Sequence, residues 1–203
     1  AIQGEATRKF ESKKSKTVSE QGGLLHVIID GNVLERNTEQ EQEQQQQHIN
    51  DISRLLLLNV YGSAPPVHLQ LSGYNRTDRF DVSDPHGHVF LSSPALFAPP
   101  LEELLRTVNR SRVLYLSPDA DVEVKEMRDF DLFIIGGLTD RQRHAGASMA
   151  RARCLNVTTA KLPPAPSSLP SQVRTVTHVV NLMAWAAKLG DWSSAWRQQR
   201  DER

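Results

Sequence analysis

Short apolar runs separated by segments of helical character make up much of this chain. Continuous β-prone runs occur at residues 24–29, 113–116, 132–135 and 157–160, and an alternating run lies at residues 67–71. Runs of about 4–6 apolar residues between helical segments are typical of buried parallel strands joined by crossover helices. The pattern therefore predicts an α/β fold, with a parallel sheet flanked by helices.

Helical spacing of apolar residues predicts the helices. After the first strand, a Glu/Gln-rich stretch leads into apolar positions at near-helical spacing over residues 49–61. We expect this helix to be stable from about His48 onwards. The Gln run before it is then either the exposed start of the helix or disordered. His48 is expected on the helix surface rather than as a ligand. Residues 101–108 and 173–189 predict further amphipathic helices, and residues 192–196 a short one whose tryptophans act as core or lid anchors.

Three of the predicted strands lead into turns that together form a candidate pocket. The turns are residues 117–119, 136–138 and 162–164. In parallel sheets, ligands bind at the carboxyl ends of the strands. Three turns at one sheet edge therefore predict a binding site, with Asp140 and Arg141 beside the middle turn.

Length and charge limit the classes of function. A chain of 203 residues is long enough for one well-buried domain with an additional arm. Its 24 basic and 24 acidic side chains cancel, which argues mildly against a wide nucleic-acid surface, although basic residues cluster at 8–16 and 141–153. We interpret residues 1–22 as a polar, partly basic N-terminal arm and residues 23–200 as the folded domain.

The sequence also argues against several kinds of site. One cysteine, Cys154, excludes an internal disulfide and a cysteine-rich zinc site, and we expect it to pack as a small apolar residue on a helix. His86 and His88 lack a cysteine or carboxylate at ligand spacing, so we expect no metal site there. No apolar stretch approaches the roughly 20 residues of a membrane helix. The chain shows no signal-peptide pattern, and a mitochondrial and a nuclear or cytoplasmic location both stay open.

Five ordered motifs carry a resemblance to a known family. They are VLYLSPDAD from residue 113, FIIGGLTDRQRH from residue 133, AKLP from residue 160, TVTHVVNLMAW from residue 175 and DWSSAW from residue 191. In this order the chain resembles the tRNA guanine-N1 methyltransferases that modify the ninth nucleotide, a branch of the SPOUT superfamily. The resemblance covers roughly residues 24–200. It implies a SPOUT-type parallel sheet with a C-terminal trefoil knot over about residues 112–190, although protein chains rarely thread loops.

The resemblance implies that three loops of the knot hold S-adenosylmethionine. Glycine in the middle loop lets backbone amides approach a ligand closely. Apolar side chains from the three loops could sandwich the adenine, while main-chain groups read its edge. Carried onto this sequence, the cofactor-binding residues are Leu116, Ser117, Ile135, Gly136, Gly137, Leu138, Lys161, Leu162, Pro163, Thr175, Val176 and His178.

The same resemblance assigns the chemistry to Asp140. Methyl transfer to N1 of guanine requires loss of the N1 proton, and a carboxylate acting as general base gains on the order of 10²–10⁴ in rate. Asp140 matches the family's proposed base, although Asp is also a favoured cap for a helix beginning at Arg141. Arg141, Arg143 and His144 would face phosphate or the target base, and Arg151 would extend that strip. A solvated basic helix face is the alternative.

Two hypotheses about function follow from these features. The first is an S-adenosylmethionine-dependent tRNA methyltransferase acting on N1 of the ninth purine, guanine before adenine, and working as a monomer. The second is a degenerate relative that serves as an RNA-binding or scaffold subunit of an organellar tRNA-processing or ribosome-assembly complex, with protein partners. The neutral charge motivates the second, as do Gln142 and Ala145 where the family pattern has Asn and Lys. Both hypotheses make tRNA or another structured RNA the partner.

Overall fold

The secondary structure is taken from a computed structural model, which describes residues 24–33, 39–74, 94–137, 146–167 and 175–201. The strands are β1 (His26–Asp30), β2 (His68–Ser72), β3 (Val113–Leu116), β4 (Leu132–Gly136) and β5 (Thr158–Ala160). The helices are α1 (Glu39–Tyr61), α2 (Leu101–Leu104), α3 (Ala147–Leu155), α4 (Val176–Leu189) and α5 (Trp192–Asp201). Each predicted strand is confirmed to within two residues at either end.

The strands form one parallel sheet, as predicted. It has five strands in the order β2-β1-β4-β3-β5, and each neighbouring pair is parallel. The three inner strands are buried along almost their whole length. This is expected when helices cover both faces of a parallel sheet, and it explains why these strands are apolar runs rather than alternating ones.

Side chains of each strand alternate between two cores. Val27 and Ile29 join the cluster formed with α1 and α4, whereas Ile28 packs with α2 and α3. In β3 the same alternation sends Leu114 to the first cluster and Tyr115 to the second. Helix α5 packs outside α4. The layers are therefore helices, sheet and helices.

Helix α1 includes the Glu/Gln-rich stretch, as one of the two predicted alternatives had it, and it buries His48. It begins at Glu39, so the Glu/Gln-rich stretch is helical, in keeping with the good helix propensity of both residues. His48 is fully buried rather than on the helix surface. It lies four and seven residues before Ile52 and Leu55, a spacing that places all three on one helix face.

Three other helices also differ in length from the prediction. Helix α4 begins at Val176 instead of 173, because Thr175 has an extended backbone and caps the helix. Helix α2 ends at Leu104 instead of 108, because the following amides of Arg106 and Thr107 bond three residues back, as in tight turns. Helix α5 runs on to Asp201. Cys154 lies on α3 as expected but is exposed rather than packed. No helix in the described part of the chain is both long and apolar enough to cross a membrane.

Candidate functional site

The carboxyl ends of β4, β3 and β5 lie side by side at one edge of the sheet. Leu116, the last residue of β3, pairs with Ile135 on one side and with Ala160 on the other. The Ser117 amide donates to the carbonyl of Ala160 at 3.0 Å, so the turns after β3 and β5 begin together. The prediction that three turns meet at one sheet edge is confirmed.

The turn after β5 is fixed by the segment that follows β3. Lys161 donates its amide to the carbonyl of Val122 at 2.8 Å and accepts the amide of Val124 at 2.9 Å. Lys161, Leu162 and Pro163 are each half-buried. The backbone of this turn is therefore held firmly while its side chains keep part of their surface accessible.

The amino end of α4 reaches the same edge. Thr175 caps the helix, because its hydroxyl oxygen accepts the amide of His178 at 3.3 Å. Val176 is buried in the same apolar cluster as Leu116, and the half-buried Leu162 packs against that cluster. The predicted apolar lining residues that the structure describes are thus brought together.

Helix α5 braces these elements from outside. The indole N–H of Trp196 donates to the carbonyl of Pro163 at 3.3 Å, and the side-chain amide of Gln199 donates to the carbonyl of His178 at 2.8 Å. Trp196 is itself buried against α4. The interpretation of this tryptophan as a core anchor is confirmed.

The glycine turn after β4 is packed from the side of β1. The Gly137 amide donates to the carbonyl of Asp30 at 2.9 Å. A Cβ atom at position 137 would lie 2.5 Å from both His48 Nε2 and the hydroxyl oxygen of Tyr74. Both distances are far inside van der Waals contact, so His48 and Tyr74 by themselves require glycine at this position.

His48 is a neutral histidine at this edge. Its Nε2 and the Tyr74 hydroxyl are hydrogen-bonded, and its Nδ1 has no hydrogen-bond partner among the described residues. Burial lowers the pKa of His48 to about 4. The ring is therefore uncharged at neutral pH.

We expect His48 to make the fold sensitive to acid. Its folded pKa of about 4 lies below the ordinary value of 6.5, so the unfolded chain takes up a proton more readily than the folded one. This contribution to stability is complete above pH 6.5 and is lost as the pH falls towards 4, by about 3 kcal/mol in all. Urea unfolding of the wild type and of His48→Gln at pH 7 and pH 4 measures it. Between pH 7 and pH 4 the wild type should lose more free energy of unfolding than His48→Gln does. Equal losses in the two proteins would contradict the lowered pKa of His48.

A buried ionic cluster lies beneath the same edge. Asp30, the last residue of β1, is fully buried, and its Oδ2 accepts the hydroxyl of Tyr115 and the Nε–H of Arg151, both at 3.1 Å. Arg151 also donates to Glu102 at 2.7 Å. Burial and the Asp30 carboxylate raise the pKa of Tyr115, so its hydroxyl stays a donor. These contacts occupy Nε and one terminal nitrogen of the guanidinium that was predicted to face RNA, and an RNA contact by Arg151 stays a prediction.

Asp119, which follows β3, stabilises a turn. Its Oδ2 accepts the amide of Gly146 at 2.7 Å, and its own amide donates to Ser117 Oγ at 3.3 Å. The turn after β3 is thereby tied to the residue that precedes α3. This matches the turn-forming character of the surrounding S-P-D-A-D sequence.

Some predicted site residues fall outside the described ranges, and the rest divide between two places. Arg151 lies in the ionic cluster, and the described cofactor-binding candidates lie around the sheet edge. Within the described ranges, no group of three His, Cys, Asp or Glu side chains could hold a metal ion. The predicted residues outside those ranges are Leu138, Asp140, Arg141, Arg143 and His144.

Comparison with known proteins identifies the family. The family model of the tRNA (guanine(9)-N(1))-methyltransferase TRM10/TRM10A matches residues 2–199. The chain belongs to this family. The resemblance carried by the five sequence motifs is thus confirmed over nearly the whole chain.

Relatives of the TRM10/TRM10A chain include fungal enzymes. A tRNA (guanine(9)-N1)-methyltransferase of Cryptococcus neoformans is 35% identical over 89 residues, which are 42% of this chain and 23% of that protein. One from Aspergillus fumigatus is 36% identical over 88 residues, covering 42% of this chain and 22% of that protein. The chain therefore spans less than a quarter of the length of these relatives.

Solved structures of TRM10 proteins share the fold. A complex of full-length spTrm10 with SAH has a TM-score of 0.63 at 19% identity, covering 87% of this chain and 95% of that one. A dual-specific Trm10 from Thermococcus kodakaraensis has a TM-score of 0.56 at 17% identity, covering 86% of this chain and 98% of that one. These likenesses show that the chain shares the α/β fold of these two structures.

Two features of this TRM10/TRM10A site were missed from the sequence. The first is the Asp30 cluster, whose partners are up to 121 residues apart. The one sign of this cluster in the sequence was a carboxylate at the end of a buried apolar strand, because a buried charge needs a partner. The second is the buried His48, which its position four residues before Ile52 could have indicated.

Proposed function

We propose that this chain is an S-adenosylmethionine-dependent tRNA methyltransferase that acts on N1 of the ninth purine, guanine before adenine. The observation that carries the proposal is the convergence of the turns after β3, β4 and β5 with the start of α4. Family membership supports it, as do the names of the fungal relatives. The SAH complex of spTrm10 supports the choice of cofactor.

The residues at this edge suit an adenosyl group. Leu116, Ile135 and Val176 are buried members of one apolar cluster, against which the half-buried Leu162 packs, and we take them as the apolar wall of the site. Purine sites combine such walls with a few main-chain groups that read the base edge. Turns of three strands supply those main-chain groups here. When bound, S-adenosylmethionine supplies an electrophilic sulfonium methyl group.

The protein contributes a base and a fixed geometry. Asp140 accepts the N1 proton of guanine, which leaves the nitrogen lone pair free to attack. The apolar wall and the turn after β5 would hold the methyl donor beside N1, the source of large proximity effects, and S-adenosylhomocysteine would leave as the methyl group is transferred. Arg141, Arg143 and His144 bind the phosphates around the target nucleotide.

The remaining parts of the proposal concern topology and assembly. We propose that residues 112–190 are threaded as a trefoil knot, as the SPOUT resemblance implies. The chain would act as a monomer on tRNA, in mitochondria or in the nucleus and cytoplasm.

Methylation of a tRNA transcript tests the proposed reaction. Incubation with labelled methyl donor should give one product, mapped by mass spectrometry to N1 of the ninth nucleotide. A transcript carrying uridine at that position is the control and should stay unmethylated. Binding of S-adenosylhomocysteine without methylation would favour a degenerate RNA-binding relative, whereas neither binding nor methylation would overturn the proposal.

Trimming Leu162 should weaken cofactor binding without unfolding the protein. Leu162→Ala removes part of the proposed adenine wall, and we expect roughly tenfold weaker binding of S-adenosylhomocysteine because less apolar surface then covers the adenine. The matched control is Val122→Ala, because Val122 lies on the paired segment but is 59% exposed. Calorimetric titration of both variants checks the prediction, and equal affinities would contradict the placement of the adenine.

A further inference from the structure

The side chain of Tyr74 packs between two glycine turns at the edge of the sheet. A Cβ atom at Gly31, just after β1, would lie 2.7–3.0 Å from three ring carbons of Tyr74. A Cβ atom at Gly137, just after β4, would lie 2.5 Å from the hydroxyl oxygen of the same side chain. Two distant turns thus leave room for a single aromatic ring.

His48 completes the packing against Gly137. Its Nε2 lies 2.5 Å from the same Cβ position and is hydrogen-bonded to the Tyr74 hydroxyl. The two rings also stack, with centroids 5.7 Å apart and planes inclined by 28°. His48 is fully buried on α1, and the Gly137 amide donates to the carbonyl of Asp30. The glycine turn is therefore held by β1, by α1 and by Tyr74.

We infer that His48 and Tyr74 are positioning residues that set the glycine turn after β4 at the spacing needed to bind the methyl donor. The inference rests on the proposed function. The pair acts through Gly137. It lies on the side of the glycine turn that faces β1, away from the turns after β3 and β5. Because the Nδ1 atom of His48 has no partner among the described residues, the pair works with an uncharged ring.

A size-exchange experiment separates this role from ordinary core packing. Gly137→Ala should weaken S-adenosylhomocysteine binding at least about tenfold, and so should the combination His48→Ala with Tyr74→Phe, which removes both atoms that face the turn. The triple variant should bind more tightly than either, because the added methyl group occupies the space that the two side chains leave.

Gly31→Ala is the matched control for this experiment. Its Cβ would meet ring carbons of Tyr74 rather than the hydroxyl oxygen. Tyr74→Phe should therefore leave the Gly31→Ala defect unchanged. Losses that simply add in the triple variant, or rescue of Gly31→Ala by Tyr74→Phe, would overturn the inference.

Amide hydrogen exchange gives a readout that needs no cofactor. In the His48→Ala, Tyr74→Phe variant, the Gly137 amide should exchange about tenfold faster while the amides of residues 113–116 are unchanged. His48→Gln, which keeps a neutral hydrogen-bonding group, should retain most of the protection. Unchanged exchange at Gly137 would refute the positioning role. Failure of the wild type to bind S-adenosylhomocysteine, with the exchange result intact, would instead refute the proposed function alone.

Discussion

Replacing Asp140 by Asn is expected to slow methyl transfer to tRNA by about 10²–10⁴-fold, the gain that a general base supplies. Asparagine keeps the size and polarity of the side chain but cannot accept the N1 proton of guanine. The methyl donor should bind as before, because the proposed adenine wall is untouched. Single-turnover rates at saturating tRNA and cofactor, together with calorimetric affinities for S-adenosylhomocysteine, measure both quantities.

The control for this prediction is Asp119→Asn. Asp119 follows β3, the strand next to β4, and it accepts the amide of Gly146. Asparagine retains an acceptor oxygen for that bond, so we expect a rate within a few-fold of the wild type. Raising the pH should partly restore the Asp140→Asn rate, because guanine N1 then loses its proton without help. An Asp140→Asn rate equal to that of the wild type would remove the base from the mechanism.

Truncating Asp30 should cause the largest loss of stability among simple variants of this site. Asp30→Ala leaves the Arg151 guanidinium without its buried carboxylate and the Tyr115 hydroxyl without its acceptor. Breaking a buried ion pair from one side costs about 3–5 kcal/mol, because the remaining charge is uncompensated. Urea denaturation of Asp30→Ala and the wild type at pH 7 measures the difference in free energy of unfolding.

Glu102→Ala provides a matched comparison on the same arginine. The Glu102 side chain is 52% exposed, whereas that of Asp30 is fully buried. Exposed ion pairs contribute only about 0–1 kcal/mol, so Glu102→Ala should be nearly neutral. Equal losses in the two variants would show that burial of Asp30 contributes nothing to the fold.

The parallel sheet and its turns were predictable because they depend on local signals. An uninterrupted apolar run such as residues 132–135 has no polar face and must be covered on both sides. The carboxyl ends of parallel strands share one edge, so three turns could be placed together before their contacts were known. The resemblance to one family then supplied the cofactor and the base. Neither can be inferred from the spacing of apolar residues.

What could not be predicted depends on contacts between distant segments. The start of α1 was left open between helix and disorder, because Glu and Gln continue a helix without adding an apolar stripe. The glycine at position 137 was attributed to ligand approach, whereas His48 and Tyr74 also demand it. Arg151 belongs to a basic stretch in the sequence, yet it folds back onto Asp30, 121 residues away. In the sequence, an arginine that stays solvated looks the same as one that pairs with a buried carboxylate. Only the tertiary structure shows which of the two it is.

A crystal structure of the chain grown with S-adenosylhomocysteine tests the central claim most directly. We predict that the ligand contacts residues 116–117, 135–137 and 161–163 at the carboxyl edge of the sheet. Two results would contradict the claim. The ligand could lie instead in the cavity of about 580 Å³ near the opposite edge, which Leu25 and Phe130 help to line. Alternatively, the carboxyl edge could stay empty at saturating ligand.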